Sequence, residues 1–572
     1  MEAKQVLIIG GGVLGPKVAC RLKRLRPHWE VTLVDQQEEI ASSTCGIPHY
    51  IAGDVAELEG LKTASFHMLR TPEFFENAKE VSIKNRTQAL SIDRRAQRVR
   101  VRHLASGREE DLPYDKLVLA TGRRPRTLEV PGADLPGVTA VVTLDQAQAV
   151  KEGISRGEVG RAVVVGATPA GCELAAAVSD LWGVETALLE SGPQVLPERL
   201  DAPLAWMVHQ HLQEKGVAVF LEEEVQEIRP GSGDQALEVV TSHRRLPADL
   251  VLVCLGAEPN SDLAVQAGLT VSPPGGIVVN QRLQTSDPQI YAGGGCVLNF
   301  QLLTGKPAYF PEPSLAHRQG RVIGTNVAGE FATFPGLTGS FAFKVFDLAV
   351  AGTGLHLEAA RREGLDAAAA LVVQQDHAHF YPVQELVYLH LVVDRQTRRL
   401  LGAQGVCHNG DALVGRVNSI AALLLHRGTI EDLSNLEMAY SPPYGTALDI
   451  VNTAANTAEN MVTGRNRSID LAEFQHLFLD EKDKAVCLDV RGAANAAPFV
   501  ARFGERWLNI PQETLKHRFD EVPRDKPLIL ICNAGMRSYE ALRQLQAQGF
   551  DNAVGLQGGV AALKKAGMLD LG

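Results

Sequence analysis

Val6-Leu7-Ile8-Ile9-Gly10-Gly11-Gly12-Val13-Leu14-Gly15 decides the fold. Four consecutive apolar residues mark a strand buried on both faces, as in a parallel sheet. The glycines that follow read G-x-G-x-x-G, and an Ala/Leu/Arg-rich stretch from Pro16 to Arg26 predicts a helix. A second strand, Val31 to Val34, ends in Asp35, about twenty residues beyond the last glycine. Each residue type meets a separate requirement. Gly10 permits the tight turn, Gly12 lets the backbone approach a pyrophosphate, and Gly15 lets helix and strand pack closely. The helix N-terminus faces the phosphates, and the Asp35 carboxylate can accept from a ribose hydroxyl.

Further along, Tyr114 to Leu119 reads as a buried strand running into Ala120-Thr121-Gly122. A second unit of the same design begins at Ala162 to Val165, continues through Gly166-Ala167-Thr168-Pro169-Ala170-Gly171, and has its own following strand, Glu185 to Leu189, ending in Glu190. Thr168 occupies the middle glycine position, where a Cβ is expected to obstruct the pyrophosphate. An acid at Glu190 with no arginine after it favours a free 2′-hydroxyl, hence NADH over NADPH. Asp249 to Gly256 closes this unit, Glu258-Pro259-Asn260 follows, and Thr285 to Gly295 returns the chain to the first. One nucleotide unit nested in another suits a flavin enzyme, with FAD in the first site and the nicotinamide that reduces it in the second.

At roughly 150 residues per domain, the 572-residue chain is long enough for about four domains. A net charge of -11 without a Lys/Arg block argues against nucleic acid as a partner. No apolar run approaches the ~20 residues of a membrane span, and the first residues lead straight into a strand, so a cytoplasmic location and no membrane association are expected. The eight cysteines, Cys20, Cys45, Cys172, Cys254, Cys296, Cys407, Cys487 and Cys532, are dispersed without metal-type pairing, so neither a disulfide framework nor a metal site is expected. Cys45 lies in Ser42-Ser43-Thr44-Cys45-Gly46-Ile47-Pro48, just after the first nucleotide unit, with no second cysteine near enough to form a local dithiol.

Together, Gly10 to Gly15 with Asp35, Ser42-x-x-Cys45-Gly46-Ile47-Pro48, Ala120-Thr121-Gly122, Glu258-Pro259-Asn260 and Ile290-Tyr291-Ala292 resemble the flavoprotein disulfide reductase superfamily, in its single-cysteine coenzyme A disulfide reductase branch. The resemblance covers residues 1 to about 460. It implies that Cys45 is the redox-active cysteine and that Gly10, Gly12, Gly15, Asp35, Ser42, Thr121, Gly122 and Gly294 bind FAD. Gly166, Gly171, Glu190 and Gly256 are expected to bind NADH. It also implies a homodimer in which Tyr381 and Tyr440 reach the other subunit's cysteine and stabilise or protonate a leaving thiolate. Two departures stand out. Gly295 replaces the aspartate that bonds the flavin ribityl chain in the family, a loss of roughly 1.5–3 kcal/mol of FAD binding. Oxidases and peroxidases of similar shape carry a histidine in the first glycine loop, where this chain has Val13 and Leu14.

After a polar linker, Ala485 to Arg491 is a strand ending in Asp-Val-Arg, and Pro527 to Ile531 runs into Cys532-Asn533-Ala534-Gly535-Met536-Arg537-Ser538. A cysteine at a strand-to-helix turn is surrounded by backbone N–H groups that, with Arg537, stabilise a thiolate or persulfide anion. Cys-x-x-Gly-x-Arg after an apolar strand resembles the rhodanese active loop, although the usual Gly-His-Ile-x-Gly-Ala segment is replaced by Phe503 to Pro511. The expected α/β architecture is therefore two nested Rossmann-like FAD/NAD(P)-binding domains, an α+β dimerisation domain and a C-terminal α/β rhodanese domain. The expected boundaries are 1–145 and 257–328 for the FAD-binding domain, 146–256 for the NAD-binding domain, 329–461 for dimerisation, 462–469 for the linker and 470–572 for the rhodanese domain. The expected activity is an FAD- and NADH-dependent reduction of coenzyme A disulfide, coenzyme A persulfide or polysulfide through a mixed disulfide of Cys45 with coenzyme A, with Cys532 carrying sulfane sulfur. The alternative is a sulfurtransferase or sulfur-carrier or sensor protein on a weakened flavoprotein scaffold.

Overall fold

In a computed structural model that describes residues 3–231, 236–481 and 484–569, five parallel strands carry the first nucleotide unit. Gln5–Ile9 lies between Glu30–Val34 and Lys116–Leu119, with Ile9 opposite both Val34 and Leu119. Ser82–Lys84 extends one edge and Ile290–Ala292 the other, so the returning segment joins the sheet. Alternate residues feed two cores: Val6 and Ile8 pack with Val18 and Leu22, and Leu7 and Ile9 with Ile92 and Val99. The first helix runs Leu14–Leu25, starting before Pro16, because a proline in the first turn lacks only an N–H that has no helical partner anyway. Helix Pro313–Val327 lies close against it: a Cβ on Gly320 would stand 2.9 Å from Lys17 Cβ, and one on Gly324 would stand 2.8 Å from Arg21 Cβ.

The second nucleotide unit has Arg161–Val165 between Glu185–Leu189 and Leu250–Val253, with Val138–Thr139 beyond the last. A short antiparallel pair, Arg123–Pro125 with Ala257–Pro259, joins the segments crossing between the two nucleotide units. These elements, residues 1–189 and 223–337, form one compact unit of the chain.

Residues 190–222 and 338–572 form the other. Its first layer is an antiparallel sheet in the order Phe341–Val345, Leu348–Gly354, Leu400–Cys407, Leu386–Asp394, Ala367–Gln375. Helix Gly410–Leu425 packs on this sheet. The sequence predicts a helix only over Asn418 to Leu425. The Asn409 side chain caps it eight residues earlier by accepting from Ala412 N, despite the low helix propensity of Gly410 and Gly415. The C-terminal domain is a parallel sheet in the order Ser468–Ile469, Ala553–Leu556, Leu528–Ile531, Val486–Asp489, Trp507–Asn509. Helix Ala202–Glu214, which follows the strand Glu185–Leu189 in sequence, is anchored on the antiparallel sheet. Asp201, 5% exposed, meets Gln404 Nε2 at 3.0 Å, His390 Nδ1 at 3.2 Å and His356 Nδ1 at 3.4 Å, and accepts from Leu357 N at 2.8 Å. Burial pushes this carboxyl up, but the two histidines and the amide outweigh it and hold Asp201 well below the usual range. Among the described residues, no helix is long and apolar enough to cross a membrane.

Candidate active site

The glycines of the first loop divide as their chemistry requires. Gly10 has φ +115°, and a Cβ there would run into the Ala120 carbonyl. A Cβ on Gly15 would run into the Gly10 carbonyl. A Cβ on Gly12, in contrast, would meet nothing within 4 Å. That empty cradle lies at the start of Leu14–Leu25, which has no side-chain cap and no acid in its first turn. The site therefore fits a diphosphate: open space, free N–H groups and the positive end of a helix. Asp35 accepts from Gly11 N with one oxygen and from Gln37 N at 2.6 Å with the other, while burial raises its carboxyl above the ordinary value.

Thr121 Oγ donates to Asn260 O at 2.6 Å, and Asn260 returns Nδ2 to Thr121 O at 3.3 Å. The Ala-Thr-Gly and Glu-Pro-Asn segments are thus one clasp, with Gly122 at φ +70° and Gly256 at φ +85° making its turns. Gly294, at φ +75°, donates to Gln319 Oε1 at 2.7 Å. Gln319 is fully buried, and sequence reasoning missed it because a glutamine in an amphipathic helix carries no motif. Gly295 presents no carboxylate; its carbonyl accepts from Tyr309 Oη at 3.1 Å.

In the second unit Gly166 has φ +101°, and Gly171 packs under it as Gly15 does under Gly10. Thr168 turns its hydroxyl away from the loop opening: Oγ donates to Cys254 O at 2.8 Å and accepts from Gly171 N at 3.3 Å, capping helix Pro169–Asp180. The loop keeps its shape, at the expense of one N–H that a phosphate would otherwise receive. Glu190 accepts from Gly192 N at 2.9 Å.

Cys45 is exposed, in a tight turn over Thr44–Gly46 that leads into the short helix Ile47–Ile51. The turn closes through Gly46 N to Ser43 O at 2.9 Å and is pinned by Ser43 N to Leu61 O at 2.8 Å. Ser42 is half-buried and its hydroxyl makes no hydrogen bond among the described residues. Arg70 Nη2 donates to Ser43 Oγ at 3.0 Å and to Leu61 O at 3.3 Å, so a guanidinium is built into the base of the cysteine turn. Burial, then the charges of Lys17 and Arg70, hold His317 below its ordinary value. Among the described residues none of the eight cysteines forms a disulfide.

Tyr381 and Tyr440 lie on adjacent loops joined by Ala378 N to Pro442 O at 3.3 Å. Tyr440 is 48% exposed, and Tyr381 stacks on His377 with ring centres 5.6 Å apart. The His377 ring stands 2.7 Å from the buried Asp376 carboxylate.

Cys532 directly follows the central strand of the last domain. Gly535, at φ +110°, directs its N–H to Cys532 Sγ at 3.1 Å, a geometry that other residues rarely reach. Ser538 Oγ lies 3.5 Å from the sulfur. Val560 N donates to Cys532 O at 2.9 Å, and a Cβ on Gly559 would collide with that same carbonyl. Arg537, half-buried at the head of helix Met536–Ala547, has no hydrogen-bond or ion-pair partner among the described residues. Arg491 is instead locked onto the fully buried Asp489, with Nη2 at 2.6 Å, and Trp507 Nε1 also donates to Asp489 at 3.0 Å. Here the departure from the expected rhodanese segment is explained: Trp507 stacks between Phe499 at 4.9 Å and Phe503 at 5.5 Å, so that stretch builds an aromatic core.

Comparison with known proteins agrees with this anatomy. Residues 4–320 match the pyridine nucleotide-disulphide oxidoreductase family, residues 340–450 its dimerisation domain, and residues 471–566 the rhodanese-like domain. A Pyrococcus furiosus CoA-dependent NAD(P)H sulfur oxidoreductase is 32% identical over 449 residues, covering 78% of this chain and 98% of its own. An NAD-dependent persulfide reductase from A. fulgidus superposes with a TM-score of 0.91 at 36% identity, over 98% of this chain and 99% of that one. The reduced Bacillus anthracis CoADR-RHD gives 0.90 at 27% identity, over 99% and 98%. The chain belongs to the pyridine nucleotide-disulphide oxidoreductase family, as an enzyme with a dimerisation domain and a C-terminal rhodanese-like domain.

Proposed function

We propose that the protein is an FAD- and NADH-dependent reductase of coenzyme A persulfide, coenzyme A disulfide or polysulfide, acting as a homodimer. The observation that carries this reading is Cys45: exposed, in no disulfide and set on a tight turn that follows the first nucleotide unit in sequence, it has no neighbouring cysteine to form an internal disulfide. Its oxidised partner is therefore a thiol from outside the chain. The charges of Lys17 and Arg70 both act on His317, and basic groups of this kind suit the phosphates of coenzyme A; the names of the Pyrococcus and A. fulgidus relatives point to the same substrates.

When bound, the flavin supplies two electrons drawn from the nicotinamide. The chain's own residues do the sulfur chemistry. Cys45 thiolate attacks the inner sulfur of coenzyme A persulfide, releasing HS⁻ and leaving a Cys45–coenzyme A mixed disulfide. Two electrons and one proton then restore the Cys45 thiolate and free coenzyme A thiol. Tyr381 and Tyr440 of the second subunit stabilise or protonate the leaving thiolate. Gly10, Gly12, Gly15, Asp35, Ser42, Thr121, Gly122 and Gly294 would hold FAD, and Gly166, Gly171, Glu190 and Gly256 NADH. Cys532 carries the sulfane sulfur as a persulfide, with Arg537 as its counter-charge.

The test is anaerobic NADH consumption with each of the three acceptors, for wild type, Cys45→Ser and Cys532→Ser. Cys45→Ser is expected to abolish consumption with all of them; retained consumption would refute the reading. Gly295 favours the second reading, a sulfurtransferase or sulfur carrier on a weakened scaffold. That reading predicts a protein whose flavin NADH does not bleach, and thiosulfate-to-cyanide transfer that survives Cys45→Ser and is lost in Cys532→Ser.

A further inference from the structure

The turn behind Cys532 is held from outside its own domain. Gly558 and Gly559 have φ +69° and +57°, two left-handed residues in succession, and they bring the chain back against the Cys532 loop. Val560 N donates to Cys532 O at 2.9 Å and Ala561 N to Asn533 O at 3.0 Å, so both carbonyls at the start of the active loop are fixed by this turn. A Cβ on Gly559 would meet the Asn533 carbonyl carbon and oxygen at 2.8 Å each, so the two segments touch backbone to backbone. Where Cys532 sits therefore depends on where Gly558 and Gly559 sit.

Gln557, the residue before them, is buried and reaches across 186 positions of sequence: its Oε1 accepts from Leu371 N at 2.8 Å. Leu371 lies in Ala367–Gln375, the edge strand of the antiparallel sheet, which pairs with Leu386–Asp394 on its inner side. An edge strand carries N–H groups with no ladder acceptor, and leaving one buried without a partner is costly. Gln557 supplies the acceptor. The contact continues around it. A Cβ on Gly558 would stand 3.2 Å from Leu371 Cδ2 and 3.3 Å from Val373 Cγ2, Tyr388 Oη stands 3.5 Å from Ala561 O, and Lys565 Nζ meets His408 Nε2 at 3.1 Å. The rhodanese-like domain thus meets the antiparallel sheet through the same turn that holds its cysteine.

We propose that Gln557 is a positioning residue for Cys532: by gripping Leu371 at the sheet edge it fixes the Gly558-Gly559 turn and, through that turn, the place where the sulfur is presented. The inference rests on the reading of Cys532 as the sulfane-sulfur carrier and adds the group that orients it. The side-chain oxygen is the atom that matters, because Leu371 N donates to it. The active loop is then completed by the dimerisation domain, and the rhodanese-like domain works docked on that sheet.

The test is thiosulfate-to-cyanide sulfur transfer by the FAD-loaded full chain, with kcat and KM measured for wild type, Gln557→Met, Gln557→Asn, Gln557→Glu and Cys532→Ser. NADH consumption with coenzyme A disulfide is recorded for each as a reaction at Cys45. Freeing the turn misplaces the reacting sulfur, which lowers kcat on the order of tenfold while KM for thiosulfate stays within about twofold. Gln557→Met and Gln557→Asn are expected to show that loss, the first lacking the acceptor and the second stopping one methylene short of Leu371 N. Gln557→Glu keeps an oxygen at the same reach and should stay within about threefold of wild type. Consumption with coenzyme A disulfide should not change in the three Gln557 variants. A kcat for Gln557→Met within about twofold of wild type overturns the proposal, and so does a loss in Gln557→Glu as large as in Gln557→Met. A parallel fall in the Cys45 reaction also overturns it, since the defect would then be global. If Gln557→Met does not fold, Gln557→Asn decides alone by the same criterion. If wild type transfers no sulfur, or Cys532→Ser transfers it equally well, the reading of Cys532 itself fails, whatever the Gln557 variants do.

Discussion

Gly295→Asp should tighten FAD binding, and the size of the gain can be worked out from the turn that holds Gly295. The position lies in the Gly294–Cys296 turn and, unlike Gly294, does not have a left-handed backbone, so an L-side chain is admitted without dihedral strain. A Cβ there would stand 3.3 Å from Arg123 Cβ, 3.3 Å from Gly122 C and 3.4 Å from Arg123 N. Those contacts are tight and require small shifts, which cost on the order of 1 kcal/mol, the low end for overpacking. Against this, a carboxylate bonded to a ribityl hydroxyl gains roughly 1.5–3 kcal/mol. The net is about 0.5–2 kcal/mol, or a Kd about 2- to 30-fold lower. The assay is titration of apoprotein with FAD, read by quenching of flavin fluorescence. Gly295→Ala serves as the control that pays the crowding without the bond, and it should bind slightly more weakly than wild type. If Gly295→Asp binds FAD no more tightly than Gly295→Ala, the ribityl chain does not pass this turn and the argument fails.

Gly12 and Gly15 should separate binding from folding. Gly12→Val projects into open space, so the apoprotein should melt as wild type does while FAD affinity falls at least about 100-fold; Gly15→Ala should lower the melting temperature itself, because its Cβ meets the Gly10 carbonyl. Asp201→Asn should destabilise the compact unit of residues 190–222 and 338–572 by about 3 kcal/mol in denaturant unfolding, since His356 and His390 lose their shared anion. His211 gives a pH signature. Burial, followed by the charge of Lys565, holds it at about 4 against an ordinary 6.5. Between those values the unfolded chain takes up a proton that the folded chain refuses, so stability should fall by about 3 kcal/mol from pH 6.5 to 4. Amide hydrogen exchange in helix Ala202–Glu214 should show this loss, and His211→Gln should flatten it; exchange rates independent of pH after correction for intrinsic chemistry would refute it.

The two nucleotide loops were legible because their constraints are local. Gly10 and Gly15 each answer a collision with a carbonyl no more than a few residues or one strand away, and only one residue type avoids it. The same holds at Gly535, whose positive φ aims an N–H at the cysteine three positions before it. Thr168 shows the limit of reading by position. The residue type is wrong for the motif, yet its hydroxyl finds Cys254, 86 residues away, and rebuilds the helix cap from a different atom. Helix Ala202–Glu214 shows it again: its anchor joins Asp201 to Gln404 across 203 positions, and no periodicity in either segment announces the other.

Arg70 and Trp507 were hidden for a related reason. Each performs a structural task, a braced turn in one case and a filled core in the other, but neither task fixes a spacing along the chain. A glycine loop must be written in order because the backbone itself is the functional group. A guanidinium can reach its place from any strand or loop within about 6 Å, the length of its own side chain. Motifs therefore report the groups that bind through backbone, and the side chains that tune them have to be found in the folded chain. Cys45 stands between these cases: its turn is written in Ser42 to Pro48, while the guanidinium that ties Ser43 to Leu61 at the base of that turn comes from Arg70.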